Sequence, residues 1–146
     1  MPFVTSKKCC ADIFISIKSW NSGTEASPAK TGNDPCPSGY RVSTNTEWKG
    51  VVANNNVERV GSWSDDGNYT SALYFRNPSN VRTLMLPAAG YRYVSGGTLF
   101  SRGFGGFYWS SSEASSYAYY LAFNSSSVNM ANYNRPSGYS VRCLAE

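Results

Sequence analysis

The sequence predicts a single α+β domain in which strands and turns outweigh helices. A chain of 146 residues suits one domain and can bury about two thirds of its unfolded surface. The chain contains 13 Gly and 7 Pro, and no long apolar stripe with helical spacing occurs. The clearest helix start lies at Thr44, so we expect one or two short helices among the strands.

The first forty or so residues combine turns with two short strand patterns. Isoleucines at every second position from Ile13 to Ile17 predict one strand. The stretch 21–28 is polar and typical of a turn. Residues 33–39 contain two prolines on either side of a cysteine, and they lead into a predicted strand at Tyr40–Val42.

A capping box predicts a helix immediately afterwards. The hydroxyl of Thr44 can accept a hydrogen bond from the backbone amide three residues later, and the Glu47 side chain can reach back to the cap. Apolar side chains then follow at positions i, i+3 and i+4: Trp48, Val51 and Val52. We expect this face to enter the core, Trp48 to anchor it, and three consecutive asparagines from Asn54 to end the helix.

The middle of the chain predicts turns, a strand and a glycine-rich excursion. Residues 61–80 carry aromatic side chains among turn residues, and 65–68 read as a solvated turn because they lack the ligand spacing of a calcium loop. Leu84–Pro87 predicts a short apolar strand. The glycines between 95 and 106 do not form a phosphate-binding loop, and we expect them to let the backbone pass close to aromatic rings.

The stretch from Phe107 to Tyr139 has the composition of a binding surface. It contains six Tyr, nine Ser and four Asn but only two charged residues, Glu113 and Arg135. Tyr provides rigid amphipathic contacts and Ser and Asn provide adaptable hydrogen bonds, as in antibody paratopes. The alternative is a set of exposed polar strands and turns that binds nothing in particular.

Period-two alternation divides this stretch into two faces. The side chains predicted to point inward are Tyr119, Leu121 and Phe123. Those predicted to point outward are Tyr120, Ala122 and Asn124. A second strand is predicted at the C-terminus with inward Tyr139, Val141 and Cys143. Between these strands, residues 129–137 predict an exposed irregular loop. The outward face and this loop would together form one continuous surface.

Composition excludes several functional classes. The chain has no His, which rules out Ser-His-Asp and Cys-His nucleophiles and His-ligated zinc. A net charge of +4 without a basic stripe argues against nucleic-acid binding. No apolar run is as long as a membrane span, and the Ile13–Ile17 run is too short for a signal-peptide core. We therefore predict no enzyme activity, no metal, no cofactor and no membrane insertion.

The four cysteines leave the redox state open. Cys9 and Cys10 are adjacent and Cys36 and Cys143 lie far apart, and four cysteines allow three pairings. A bridge between Cys36 and Cys143 would close a very long loop, whereas a reducing compartment would leave two buried thiols.

Five ordered motifs resemble the Fibrobacter succinogenes major paralogous domain. They are Asp34–Val42, the Thr44-x-x-Glu47-Trp48 box, Leu86–Arg92, Tyr108–Ser111 and Gly138–Cys143. The similarity covers roughly Thr24 to the C-terminus. One departure is Ser43, where that family usually has Pro before the capping Thr; because the capping box is retained, we expect no change of fold.

This resemblance implies a C-type-lectin-like fold related to that of the formylglycine-generating enzymes. Such a fold has a twisted antiparallel sheet, few helices, long irregular loops and chain ends that lie close together, which would bring Cys36 and Cys143 near each other. Residues 1–23 would be an N-terminal lead-in and residues 24–146 the ligand-binding domain. The resemblance also implies gut bacteria or their phages as the setting.

The tail further resembles the variable regions of proteins diversified by retroelements, in which template adenines are copied with errors. Such proteins carry template Asn codons at the positions that match Ser116, Tyr117, Tyr120, Ala122, Asn124, Ser127, Asn129, Ala131, Asn132, Tyr133, Asn134 and Ser137. These residues are all reachable from Asn codons, and several of them fall on the predicted outward face and loop.

The resulting functional prediction is a ligand-binding display domain. Tyr117, Tyr120 and Tyr133 would anchor a protein or glycan on a cell surface, with Ala122, Ser127 and Ala131 shaping the space between them. A phage tail or a bacterial surface would be its location, and assembly with identical subunits is left open. Three alternatives are a structural tail-fibre domain, an oxidase-like enzyme and a calcium-dependent lectin. This chain lacks the C-terminal cysteine pair that the oxidase hypothesis would need. It also lacks the Glu-Pro-Asn or Gln-Pro-Asp triplet that a calcium-dependent lectin normally has.

Overall fold

The computed structural model describes residues 18–67 and 70–146, and this part of the chain is built mainly from antiparallel strands with one short helix. The α+β expectation is confirmed at this level. The strand predicted at Ile13–Ile17, as well as Cys9 and Cys10, lie outside the described residues. No helix in the described part is long and apolar enough to cross a membrane.

Ten strands in the described residues pair into four antiparallel sheets. Their bounds are β1 Tyr40–Val42, β2 Asn56–Val60, β3 Ala72–Arg76, β4 Arg82–Pro87, β5 Tyr91–Arg92, β6 Leu99–Phe100, β7 Gly106–Ala114, β8 Tyr117–Phe123, β9 Val128–Asn134 and β10 Cys143–Ala145. The sheets are β1-β10, β2-β3-β4, β5-β6 and β7-β8-β9. The predicted strands at Tyr40–Val42 and Leu84–Pro87 are therefore confirmed.

The helix α1 spans Asn45–Asn54 and begins with the predicted capping box. The Glu47 amide donates to the Thr44 hydroxyl at 3.2 Å, and the Thr44 amide donates to a Glu47 carboxylate oxygen at 2.8 Å. The asparagine run ends the helix as expected, with Asn55 as its C-cap. Since both capping bonds are present, this boundary follows from local sequence alone.

Two side chains that are distant in the sequence accept hydrogen bonds from the first backbone amides of α1. The Asn45 amide donates to the Ser112 hydroxyl at 2.8 Å, and the Thr46 amide donates to a Glu25 carboxylate oxygen at 2.8 Å. Burial raises the pKa of Glu25, but its hydrogen bonds with Ser112 and Thr46 outweigh this, so the pKa is lowered. The first turn of the helix is therefore tied to β7 and to the segment before β1.

The core lies between α1 and the sheets β2-β3-β4 and β7-β8-β9. Its buried members are Trp48, Leu73, Phe75, Leu86, Ala88, Tyr108, Leu121 and Phe123. Val51 and Val52 pack against this core, so the predicted apolar face of the helix is confirmed. Gly106 has no room for a side chain because the Phe123 ring occupies that space, as the glycine-rich pattern predicted.

The first and last strands of the described residues meet. Strand β1 pairs with β10 in the register Val42↔Cys143. Cys36 and Cys143 form a disulfide with a Cα–Cα distance of 5.8 Å. Of the pairings that composition left open, the one implied by the family resemblance is present.

Residues before the predicted domain boundary at 24 are bonded to residues after it. The Thr31 amide donates to the Trp20 carbonyl at 3.2 Å, and the Ala29 amide donates to the Asn21 side-chain oxygen at 2.8 Å. Trp20 also lines a small cavity together with Trp109. The segment from residue 19 is thus packed against the domain.

Two local predictions were wrong, and strand β3 was not predicted at all. Residues 72–76, described in the sequence only as aromatic and apolar side chains among turn residues, form β3, in which Leu73 and Phe75 are buried at period two. Residues 128–134 form β9, although 129–137 was predicted to be an irregular loop. The C-terminal strand begins only at Cys143, since Tyr139 packs on other aromatic rings and lies outside any strand.

Candidate functional site

The tail folds into the sheet β7-β8-β9, whose two faces differ in chemistry. The register Trp109↔Tyr120↔Ala131 defines one row of side chains, and Tyr108↔Leu121↔Met130 defines the adjacent row on the opposite face. The second row belongs to the core. The first row lies on what we call the outer face, which carries Phe107, Trp109, Tyr120, Ala122, Asn129, Ala131 and Tyr133.

A group of six rings covers much of the outer face, and we call it the aromatic cluster. Its members are Tyr91, Phe107, Trp109, Tyr120, Tyr133 and Tyr139. Tyr139 is central: its ring centroid lies 4.4 Å from that of Trp109, 4.7 Å from Tyr120, 5.3 Å from Tyr91, 5.4 Å from Phe107 and 6.4 Å from Tyr133. These spacings are those of favourable aromatic pairs.

Backbone hydrogen bonds position Tyr139 over the sheet. The Ser140 amide donates to the Phe107 carbonyl at 2.9 Å, and the Trp109 amide donates to the Ser140 carbonyl at 2.9 Å. On the other side, Arg92 and Gly138 exchange backbone bonds of 3.0 and 2.8 Å. A Cβ at Gly138 would lie 2.9 Å from the Arg92 Cβ, so glycine is required for this close approach.

Three tyrosines of the cluster, Tyr91, Tyr120 and Tyr139, have a raised pKa. Burial raises the pKa of Tyr139 and of Tyr120, and a hydrogen bond joins their side chains. Burial also raises the pKa of Tyr91, with a smaller contribution from the nearby Tyr133. At neutral pH these phenols are protonated, as ordinary phenols are, and can donate as well as accept hydrogen bonds.

An open groove of about 520 Å³ adjoins the cluster. Its walls come from the β5–β6 hairpin on one side and from the segment 136–140 on the other. Among the lining residues are Tyr91, Arg92, Tyr93, Leu99, Pro136 and Tyr139. This volume lies within the range of about 300–1,000 Å³ that is typical of ligand pockets, and we call it the groove.

The β5–β6 hairpin adds exposed apolar side chains that sequence reasoning missed. Tyr93, Leu99 and Phe100 are all exposed on it, and Phe104 follows directly. The glycine pattern predicted only an irregular excursion here. The signal of the hairpin was nevertheless present, since Gly96-Gly97 between short apolar runs is typical of a hairpin turn.

The structure distributes the predicted site residues over several places. Five lie on the outer face: Tyr120, Ala122, Asn129, Ala131 and Tyr133. Three lie in β8 and β9 on the opposite face: Tyr117, Asn132 and Asn134. Ser116 lies in the β7–β8 turn, and Asn124 and Ser127 lie in the β8–β9 turn. The single continuous surface was therefore a wrong prediction, because β9 is a strand and its successive side chains alternate between faces.

Two of these residues have structural roles. Ser137 is only 1% exposed, so its predicted place on the surface was wrong: its carbonyl accepts from the Trp109 indole at 3.2 Å beneath the cluster. The Asn124 side-chain oxygen accepts from the Ser126 and Ser127 amides, both at 2.9 Å. It thereby closes the turn.

The serines of β7 are buried, contrary to the expectation that the Ser content of the tail marks a surface. Ser110, Ser111 and Ser112 are all buried. The Ser110 hydroxyl donates to the Tyr119 carbonyl at 2.9 Å, and the Ser112 hydroxyl accepts from the Asn45 amide at 2.8 Å. Buried hydroxyls are tolerated here because they have hydrogen-bond partners.

Comparison with known proteins identifies a family but no characterised relative. A family model described as a domain of unknown function, DUF8237, matches residues 70–144, a little more than half of the chain. The matched region extends from just before β3 into β10 and includes the whole of the outer face. Neither the comparison with curated proteins nor that with solved structures gave a match. Residues 18–67 and 70–146 contain no group of three or more side chains suited to hold a metal ion.

Proposed function

The chain belongs to the DUF8237 family of domains of unknown function, and we propose that its role is to bind a protein or glycan through the outer face. The site is narrower than the whole tail. It consists of Tyr120, Ala122, Asn129, Ala131 and Tyr133, backed by the rest of the aromatic cluster. Binding, rather than catalysis, is the activity assigned to it.

The observation that carries this proposal is a rigid set of tyrosines with one open edge. Tyr139 contacts five other rings of the cluster, which fixes its position. Tyr133 lies at the margin with 37% of its surface exposed, and Asn129 of the same strand is exposed as well. A preorganised surface loses little conformational entropy on association, and exposed tyrosine beside asparagine is typical of paratopes.

We further propose a C-type-lectin-like fold displayed on a virion or a bacterial surface. The β1-β10 pairing joins the first and last strands of the described residues, and the one helix found in that part of the chain, with its irregular connections, suits such a fold. The Cys36–Cys143 disulfide favours an oxidising location, since such bonds persist mainly outside the cytosol.

Diversification by a retroelement is compatible with the outer-face positions. Asn129, Ala131 and Tyr133 are exposed or partly exposed edge-strand residues, so substitutions there change the surface at little cost to the core. Ser137 and Asn124 differ, because one is buried and the other closes a turn. We propose that variation useful for binding is concentrated in the first group.

A matched pair of double variants tests the assignment. Tyr133→Ala with Asn129→Ala alters the outer face, whereas Tyr117→Ala with Asn134→Ala makes the same chemical changes on the opposite face. Both would be screened beside the parent protein against gut-bacterial cells and a glycan array. We expect the outer-face variant to lose binding by about tenfold or more and the control variant to bind like the parent.

Three outcomes contradict the proposal. Equal loss in both variants, with circular dichroism unchanged, would move the site off the outer face. Loss only in the control variant would place it on the opposite face. No binding by the parent to any cell or glycan would favour a structural tail-fibre role.

A further inference from the structure

We propose that the groove between the β5–β6 hairpin and the segment 136–140 binds an acidic saccharide, a sugar chain that carries carboxylates. This goes beyond the outer-face site, because the groove is formed largely by residues outside β8 and β9. It rests on the proposed binding function for its context. The groove shares Tyr91 and Tyr139 with the aromatic cluster, but Arg92 and Tyr93, which lie outside the cluster, distinguish its chemistry.

The charge of the groove is positive. Arg92 is the only charged side chain among the described residues that line it. Arg92 forms no ion pair with any carboxylate in the described part of the chain, and its guanidinium donates only to the Gly97 carbonyl, at 2.9 Å. Because a guanidinium carries five N–H donors, several remain to meet a ligand carboxylate, which it can bind in a bidentate manner.

The other polar groups of the groove supply neutral donors. Tyr91, Tyr93 and Tyr139 are among the residues that line it. Phenol hydroxyls are protonated at neutral pH and can donate hydrogen bonds, and burial raises the pKa of Tyr91 and Tyr139 still further. No Asp or Glu lines the groove among the described residues. A ligand rich in oxygen acceptors and negative charge therefore meets complementary groups.

A saccharide fits this arrangement better than a peptide does. Sugar rings present C–H faces that pack on aromatic rings, and Tyr93 offers such a ring with 38% of its surface exposed. A peptide that binds by extending a sheet, which is one of several peptide-binding modes, needs a free strand edge. Strand β5 offers none, since it pairs with β6 on one side and with Gly138 on the other.

The test uses an array of uronate- and sialate-containing oligosaccharides printed beside their methyl esters. The esters keep the sugar framework and remove the charge. We expect the parent protein to bind at least one acidic member and to bind its ester on the order of tenfold to a hundredfold more weakly. Arg92→Gln should weaken binding to the acid to a similar extent and leave binding to the ester unchanged.

Two control variants separate the groove from general surface effects. Arg142→Gln removes the same charge at an exposed position outside the groove. Tyr93→Ala removes an exposed ring that lines the groove, and its control, Phe104→Ala, removes an exposed ring that does not. We expect both controls to bind like the parent, and Tyr93→Ala to weaken binding to acid and ester alike. Unchanged thermal unfolding would confirm that each variant is folded.

The outcomes distinguish this inference from the outer-face proposal. Failure of every acidic member to bind, equal binding of acids and esters, or full binding by Arg92→Gln would overturn the acidic saccharide. Tighter binding of a polyglutamate peptide than of any sugar would assign the groove to acidic peptides instead. If a cell target is lost with Tyr133→Ala and Asn129→Ala but not with Arg92→Gln, the outer face alone is the site.

Discussion

The two faces of the sheet β7-β8-β9 differ in chemistry although the same three strands form both. On the core face, Leu121 is 0% exposed and Phe123 is 2% exposed, and both are covered by the rest of the domain. On the outer face, Tyr120 and Tyr133 contact other rings but keep part of their surface open. The residues of the two faces alternate along the same strands.

The comparison indicates that chemistry, more than exposure alone, separates the side chains that stabilise the domain from those that we propose bind a ligand. The core face uses side chains that gain free energy by leaving water. The outer face uses tyrosines whose rings fix one another while their hydroxyls keep hydrogen-bonding capacity. Changes on the core face should therefore reduce the free energy of unfolding, and changes at the edge of the outer face should reduce binding.

The largest expected effect is on the core face. Phe123→Ala should lower the free energy of unfolding by about 3–5 kcal/mol, because the ring packs against Tyr108 and fills the space beside Gly106. Tyr133→Ala on the outer face should cost less than about 1 kcal/mol. Urea denaturation of both variants measures the difference in the free energy of unfolding. Similar losses in the two variants would contradict the proposed difference between the faces.

The disulfide should come next. Replacing Cys36 and Cys143 together by Ser should cost about 2–5 kcal/mol, because the bond closes a loop with a sequence separation of 107 residues. Thermal unfolding with and without a reducing agent provides the measurement. Reduction should lower the melting temperature of the parent and leave that of the double variant unchanged; a parent insensitive to reduction would show that the bond does not stabilise the domain.

Acid should weaken the attachment of α1. A hydrogen bond from Arg41 lowers the pKa of Glu47, and the bonds of Glu25 with Ser112 and Thr46 lower its pKa as well. A lowered folded-state pKa gives stability that is present above the ordinary value of 4.5 and is lost as the pH falls through the folded value.

The matched measurement is urea denaturation between pH 7 and pH 3. Glu25→Gln with Glu47→Gln should lose about 1 kcal/mol at pH 7 and show a flatter decline towards low pH than the parent. Parallel declines in parent and variant would mean that other carboxylates dominate acid unfolding.

The smallest effect is expected at high pH, on the outer face. Burial raises the pKa of Tyr139 and Tyr120, so these phenols should ionise above the ordinary value of 10. The associated stability is complete below pH 10 and is lost as the pH rises further. The absorbance of tyrosinate should show a fraction of tyrosines that ionises only above pH 10, and this fraction should be smaller in Tyr139→Phe. If all tyrosines ionise near pH 10, the cluster is open to solvent.

Sequence reasoning was sufficient where local rules act alone. The capping box at Thr44 determined the start of α1, and the alternation around Leu121 predicted the buried side of β8. The pairing of Cys36 with Cys143 depended on the family resemblance, since composition left three pairings open.

Strand β9 was missed because its polar residues resemble a loop. Val128 and Met130 alternate and pack on the core, but the asparagines between and after them obscured the period of two. The position of Ser137 depends on Trp109, which lies 28 residues away in the sequence, and the groove depends on contact between β5 and Gly138. Such long-range contacts leave no local pattern.

Hydroxyl-radical footprinting of the protein with its bound target tests the central claim most directly. Tyr133 on the outer face and Tyr117 on the opposite face are well matched, with 37% and 43% of their surfaces exposed. We expect the target to protect Tyr133 from oxidation and to leave Tyr117 as reactive as in the free protein. Protection of Tyr117 with Tyr133 unprotected would contradict the assignment of binding to the outer face.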